Sequence, residues 1–130
     1  MVGITVLVAE DYQSTRMVTV EIVRRISCVS VVIEAGDGNE ALEALLEHNP
    51  AITLLDTQMP FLAGYEVVRE YRIRNPKGKT TFVMMSCFPE HYENVAKGLG
   101  AYFIKKPYDI NVLRDRIISL AERIARANTE

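Results

Sequence analysis

The 130-residue chain has no tryptophan, two cysteines and no excess of basic residues. Cys28 and Cys87 lie in apolar stretches without metal-ligand spacing, so we predict buried free thiols in a reducing compartment and no zinc site. The 15 basic and 17 acidic residues give a formal net charge of -2, which argues against direct nucleic-acid binding. Because no apolar run reaches membrane-spanning length and no charged leader begins the chain, we expect a cytoplasmic protein without membrane association.

The remaining composition is that of one ordinary α/β domain. With 48% hydrophobic residues, 130 residues suffice for a core of their own, and we predict a single domain over 1–130 with a core of about 3–125. Five apolar, β-branched runs alternate with five helical segments, which predicts one parallel sheet with helices on both faces. The predicted strands are 3–9, 29–35, 51–56, 81–86 and 102–105, and the predicted helices are about 13–27, 41–48, 65–74, 89–97 and 110–124.

Two of these helices carry specific signals. Val18, Ile22 and Ile26 recur at four-residue intervals in the first helix and predict its apolar stripe. Asp109 directly precedes the last helix, where an aspartate side chain can cap free backbone N–H groups.

Polar side chains stand where four of the predicted strands end. Glu10 and Asp11 follow the first strand, Asp56 ends the third, Ser86 ends the fourth and Lys106 follows the fifth. Parallel strands share one carboxyl edge, which is where ligands bind in open α/β sheets. Three crowded carboxylates repel one another, and a hard cation such as Mg²⁺ would relieve that repulsion. The sequence therefore predicts a magnesium site at this edge.

The same residues suit phosphoryl transfer. A lysine and a hydroxyl beside a cation and a carboxylate nucleophile would stabilise the negative charge of a transferred phosphoryl group. Asp56 would then attack and carry the group as an acyl phosphate. Taken by itself, the stretch around Asp56 is equally compatible with an aspartate that caps the following turn.

Five motifs in this order resemble those of response-regulator receiver domains in two-component signalling, including the chemotaxis receivers. The resemblance extends from Ile4 to Ile124, and its specificity comes from the order of the motifs, since each one is weak alone. The motifs are Leu7-Val8-Ala9-Glu10-Asp11, Glu34-Ala35-Gly36-Asp37-Gly38 with Glu40-Ala41-Leu42, Leu54-Leu55-Asp56-Thr57-Gln58-Met59-Pro60 with Gly64, Met85-Ser86, and Lys106-Pro107.

The resemblance implies a flavodoxin-like, doubly wound sheet of five strands in the order 2-1-3-4-5. It implies that Asp56 is the phosphoacceptor and that Asp11, Asp56 and the backbone carbonyl of Gln58 bind Mg²⁺, with Glu10 assisting through water. Three departures from the family pattern are Ala63 in place of a common aspartate, Cys87 in place of alanine, and Tyr102 in place of a common acid. The last departure, in a tract one residue short, leads us to expect at most a weak dimer.

The implied function is that of a signalling switch. Asp56 would receive a phosphoryl group from a sensor histidine kinase or a phosphotransfer protein, and Lys106 would contact the phosphoryl oxygens. Ser86 and Phe103 would form the conformational switch that controls a partner or an output domain. Such a protein is not an enzyme, because it catalyses only its own phosphorylation and dephosphorylation.

Two other classes use similar residues. A haloacid-dehalogenase-like, Mg²⁺-dependent phosphatase also has a strand-end aspartate nucleophile, but it needs an acid two residues later, where this chain has Gln58. A flavodoxin-type binding module needs a phosphate loop after the first strand, where Glu10 and Asp11 would repel phosphate.

Overall fold

The five predicted strands form one parallel sheet in the order β2-β1-β3-β4-β5. The structure is a computed structural model that describes residues 3–129. The order confirms the expected doubly wound, flavodoxin-like fold. The strands are β1 Ile4–Ala9, β2 Val29–Ala35, β3 Ile52–Asp56, β4 Thr81–Ser86 and β5 Tyr102–Lys105, and the helices are α1 Gln13–Arg24, α2 Gly38–His48, α3 Gly64–Arg74, α4 Pro89–Gly98 and α5 Ile110–Thr129.

The sheet separates two layers of core side chains. Alternate residues of a strand point to opposite faces, so Val6 of β1 belongs to one apolar cluster and Leu7 to the other. Leu54 and Leu55 of β3 divide in the same way. Every residue of β3 is buried, because helices cover both faces of a central parallel strand. The carboxylate of Asp56 therefore ends the best-protected strand.

The first helix exists as predicted, but Val18 of the predicted stripe lies outside its buried face, while Ile22 is partly buried against the core. Val18 is 58% exposed, whereas Thr19, Val20 and Val23 are the buried residues of α1. A four-residue spacing advances 40° beyond a full turn at each step, so it drifts off the face that a straight helix buries. The helix also ends at Arg24, so Ile26, although buried, lies beyond it.

The prediction that both cysteines are buried is wrong for Cys87. Cys87 is exposed and Cys28 is partly buried. Both faces of β4 are buried up to its last residue, Ser86, and Cys87 lies beyond the end of the strand, where it is no longer covered. By contrast, the expected cap of the last helix is confirmed, since the Asn111 N–H donates to Asp109 Oδ1 at 2.7 Å. No helix within residues 3–129 is both long and apolar enough to cross a membrane.

Two glycines allow α2 and α3 to pack against the loop that follows Asp56. The N–H of Gly38 donates to the Pro60 carbonyl at 3.1 Å, and a Cβ added to Gly38 would lie 2.2 Å from the Leu62 carbonyl oxygen. A Cβ on Gly64 would lie 2.5 Å from the carbonyl oxygen of Asp56 itself. The backbone around Asp56 is thus held by two direct helix contacts that a larger residue would push apart.

We expect Gly38→Ala to lower the free energy of unfolding by about 1 to 3 kcal/mol, because the new methyl group overlaps the Leu62 backbone. Gly98→Ala is the matched control, since a Cβ there meets nothing within 4 Å. It should be neutral or stabilising by up to about 1 kcal/mol, as alanine favours helix more than glycine does. Urea denaturation measures both variants, and equal stability of the two would contradict the close approach at Gly38.

Candidate functional site

The structure brings the three predicted carboxylates together. Glu10, Asp11 and Asp56 each place a carboxylate oxygen within 4.8 Å of the others. Adjacent strands cause this, because Ala9 at the end of β1 pairs with Leu55, the residue directly before Asp56. Glu10 and Asp56 are buried and Asp11 is exposed. An all-oxygen set with one side open to solvent fits a small, hard cation that retains water, as Mg²⁺ does.

A lysine bridges the two buried carboxylates. Lys106 Nζ donates to Glu10 Oε2 at 2.6 Å and lies 3.2 Å from Asp56 Oδ2. Its backbone N–H donates to the Ser86 carbonyl at 2.8 Å, which attaches the loop after β5 to the end of β4. Because buried charges are costly unless they are paired, this ammonium group is what makes two buried carboxylates tolerable.

The pKa values reflect this crowding. Burial raises the pKa of Asp56 to about 6 and the neighbouring Glu10 adds to the rise, while the positive charge of Lys106 opposes it. Burial lowers the pKa of Lys106, but the hydrogen bond to Glu10 and the charges of Asp56 and Glu10 outweigh burial, so that its pKa is raised overall. The lysine therefore stays charged at neutral pH, and Asp56 titrates closer to neutrality than an ordinary aspartate does.

The two predicted switch residues lie on β4, which is next to the strand that carries Asp56, and on β5 beyond it. Ser86 is buried at the end of β4, and its Oγ accepts a hydrogen bond from the Phe88 N–H at 3.0 Å. Phe103 is partly buried on β5, where its backbone pairs with Met84. The hydroxyl hydrogen of Ser86 is not used in its bond to Phe88, so it is free to donate elsewhere.

The side chain of Gln58 points away from the carboxylates. Its amide nitrogen donates to the Tyr92 hydroxyl of α4 at 3.3 Å, and its backbone N–H is 3.4 Å from Asp56 Oδ1. The side chain is therefore engaged with α4, and the role foreseen for the Gln58 backbone carbonyl as a metal ligand stays a prediction.

Sequence reasoning missed two residues that shape the site. Arg16 donates to the Glu10 carbonyl at 2.8 Å and lies 3.4 Å from Glu34, so it ties α1 to the ends of β1 and β2. The position of Arg16 in the first turn of the helix that follows Glu10 and Asp11 could have indicated its contact with this edge of the sheet. Thr57 is buried, and its hydroxyl has no hydrogen-bond partner among the described residues. No sequence pattern announces such a group.

Comparison with known proteins identifies the family. The response regulator receiver domain model matches residues 6–118, and this chain belongs to that family, which acts in two-component signalling. The fold resembles the REC domain of AraT, a response regulator from Geobacillus stearothermophilus, with a TM-score of 0.84 and 26% identity over 98% of this chain and 99% of that one. The receiver, a phosphoacceptor module in this family, is the class that the fold and the carboxylate cluster define.

Curated relatives share the receiver as part of longer proteins. A protein-glutamate methylesterase/protein-glutamine glutaminase of Symbiobacterium thermophilum is 33% identical over 95% of this chain and 36% of its own length. A cyclic di-GMP phosphodiesterase of Thermotoga maritima is 32% identical over 87% of this chain and 30% of its own length. The chain thus spans about a third of these relatives, and the activities in their names are theirs.

We expect Asp56→Asn to stabilise the metal-free protein, and the gain to depend on pH. The folded pKa of about 6 lies above the ordinary value of 3.8, so the folded state holds more protons than the unfolded state between these values. Wild-type stability is therefore lost as pH rises through this window, and an amide escapes that loss. Urea denaturation in EDTA should show a larger gain at about pH 8 than at about pH 4.5.

Asp115→Asn supplies the control for this titration, because Asp115 on α5 has a side chain that is 74% exposed. Its effect should be small at both pH values. If Asp56→Asn gave the same difference in stability at both pH values, Asp56 would not titrate abnormally in the folded protein.

Proposed function

We propose that Asp56 is the phosphoacceptor of this receiver and that it takes its phosphoryl group from the phosphohistidine of a sensor histidine kinase or a phosphotransfer protein. The observation that carries the proposal is a buried carboxylate at the end of the central strand with a lysine ammonium group 3.2 Å away. Strand ends at this edge are accessible to a ligand. The phosphorylated form then controls an output domain or a separate effector.

The proposed reaction transfers one phosphoryl group from the donor phosphohistidine to Asp56. An Asp56 carboxylate oxygen attacks phosphorus and forms a P–O bond, while the P–N bond of the donor breaks and its electron pair stays on the imidazole nitrogen. Lys106 contributes in two ways. Its charge favours the ionised, nucleophilic form of Asp56, and its ammonium hydrogens can bind an oxygen of the incoming phosphoryl group.

Asp11, Asp56 and the backbone carbonyl of Gln58 would hold Mg²⁺, with Glu10 contributing through water. The hydrogen bond of 2.6 Å between Lys106 and Glu10 supports the indirect role of Glu10, because direct ligation would compete with that bond. When bound, the cation supplies positive charge against the equatorial oxygens of the phosphoryl group. Asp11, as the exposed member of the cluster, is the carboxylate that is freest to adjust to a cation.

Ser86 and Phe103 would convert phosphorylation into a change of shape. A phosphoryl oxygen on Asp56 offers Ser86 an acceptor, and donating to it draws the hydroxyl inward at the expense of its bond with Phe88. Phe103 is already partly buried and could fill the vacated space by a change of rotamer. One new hydrogen bond to a charged acceptor biases such an equilibrium by roughly 1 to 3 kcal/mol, which gives a population shift.

The phosphatase alternative is less well supported by the site. Gln58 cannot act as the leaving-group acid, and its side chain is engaged with Tyr92. The receiver family match over residues 6–118 also favours a phosphoacceptor over an enzyme with an external substrate. We therefore expect the partners of this domain to be signalling proteins and not a small-molecule substrate.

The proposal predicts a covalent adduct on Asp56. Wild-type protein incubated with acetyl phosphate and Mg²⁺ should gain one phosphoryl group by intact mass, and peptide mapping should place it on Asp56. Asp56→Asn should abolish the adduct while leaving the fold intact, because an amide is nearly isosteric but a poor nucleophile. Asp115→Asn should leave it unchanged. An unchanged adduct yield in Asp56→Asn would show that Asp56 is not the nucleophile. Release of phosphate over many turnovers would favour the phosphatase.

The metal site predicts a thermal shift. Millimolar Mg²⁺ should raise the melting temperature of the wild type, because a cation that binds only the folded state stabilises it. Asp11→Asn should remove this response and also stabilise the metal-free protein, since it relieves repulsion among the three carboxylates. Differential scanning fluorimetry with and without EDTA measures both effects. A wild-type melting curve that does not respond to Mg²⁺ would refute the cation site.

A further inference from the structure

Tyr108 lies two residues after Lys106 in the loop between β5 and α5, and the chemistry proposed above does not use it. Its ring packs against the apolar cluster on the α1 and α5 face of the sheet. Its hydroxyl forms a hydrogen bond with Thr19 Oγ1 of α1, 89 positions away in sequence. Thr19 is 1% exposed and Tyr108 is partly buried, so this polar contact lies mostly out of solvent.

Packing alone does not explain a tyrosine at this position. A phenylalanine would fill the same space, and a buried hydroxyl must find a partner or cost free energy. The pair also has a specific location, because α1 begins two residues after Asp11 and Tyr108 follows Lys106 closely. It therefore joins the helix behind the exposed carboxylate to the loop that carries the ammonium group.

The surroundings of Lys106 show why such a connection matters. Lys106 and Pro107 line an open cleft of about 470 Å³, together with Cys87 and Val18. Side chains do not fill that cleft, so packing does not prevent the loop from moving outward there. On this side the backbone bond from Lys106 to Ser86 and the bond from Tyr108 to Thr19 hold the loop.

We propose that Tyr108 and Thr19 are positioning residues for Lys106, and that their hydrogen bond keeps the lysine ammonium group at the Asp56 carboxylate for phosphoryl transfer. The inference rests on the function proposed above. Small displacements of a reacting or charge-stabilising group slow a reaction steeply. Loss of the bond should therefore slow phosphorylation more than an equally destabilising substitution elsewhere in the protein does.

The experiment compares initial rates of adduct formation with acetyl phosphate and Mg²⁺, at a temperature well below every melting temperature. Tyr108→Phe and Thr19→Val each remove one hydroxyl and keep the shape of the side chain. Each should slow phosphorylation about five- to tenfold, and the double variant should be no slower than the singles. Thr19→Ser, which retains the hydroxyl, should restore most of the rate.

Two controls separate positioning from general destabilisation. Thr53→Val removes a comparable buried hydrogen bond, from Thr53 to Thr80 at 2.8 Å, and should lower stability without slowing phosphorylation. In a Lys106→Ala background, Thr19→Val should have no further effect on the rate, because its influence passes through the lysine. A purely structural role would slow both backgrounds by the same factor.

Three results would overturn the inference: wild-type rates in both single variants, an equal slowing by Thr53→Val, or an undiminished effect of Thr19→Val without Lys106. Absence of any wild-type adduct on Asp56 is a different outcome, since it would refute the phosphoacceptor itself. Wild-type phosphorylation with unaffected variants would leave the phosphoacceptor in place and refute only the positioning pair.

Discussion

The ammonium group of Lys106 is the contact on which the rest of the site depends. The strand order places β1 beside β3, and this brings the buried carboxylates of Glu10 and Asp56 to one edge of the sheet. Both carboxylates are buried away from solvent, because helices cover both faces of these strands. Lys106, which arrives from beyond β5, is therefore the counter-charge that makes the arrangement compatible with folding.

One lysine cannot balance three acids. Burial and the neighbouring Glu10 keep the pKa of Asp56 raised even with Lys106 beside it, and so the ionised site is less stable than an apolar strand end would be. Locally unfavourable arrangements of this kind are typical of functional sites, where a bound ligand can supply the missing stabilising interactions. A cation held by Asp11 and Asp56, as proposed above, would offset the excess negative charge.

The predictable parts of the structure follow from local pattern and from the geometry of parallel sheets. Alternating apolar runs predicted the strands, and a shared carboxyl edge predicted that Glu10, Asp11 and Asp56 would meet, whereas the strand order came from the family resemblance. Only Val18 of the predicted stripe on α1 proved exposed, because the four-residue spacing of Val18, Ile22 and Ile26 does not follow 3.6 residues per turn. The bond between Thr19 and Tyr108 could not be foreseen, since it depends on how α1 and α5 pack.

The support around the site is uneven, and this bears on where a signal would travel. On the Asp56 side, α2 and α3 approach the backbone so closely that Gly38 and Gly64 leave no room for a Cβ. On the other side, Lys106 faces an open cleft, and the Ser86 hydroxyl contacts the loop after β4 through the Phe88 N–H. A new group on Asp56 would displace the part of the surroundings whose movement costs the least free energy. The asymmetry therefore favours movement of the loops after β4 and β5, while the strand that carries Asp56 stays fixed.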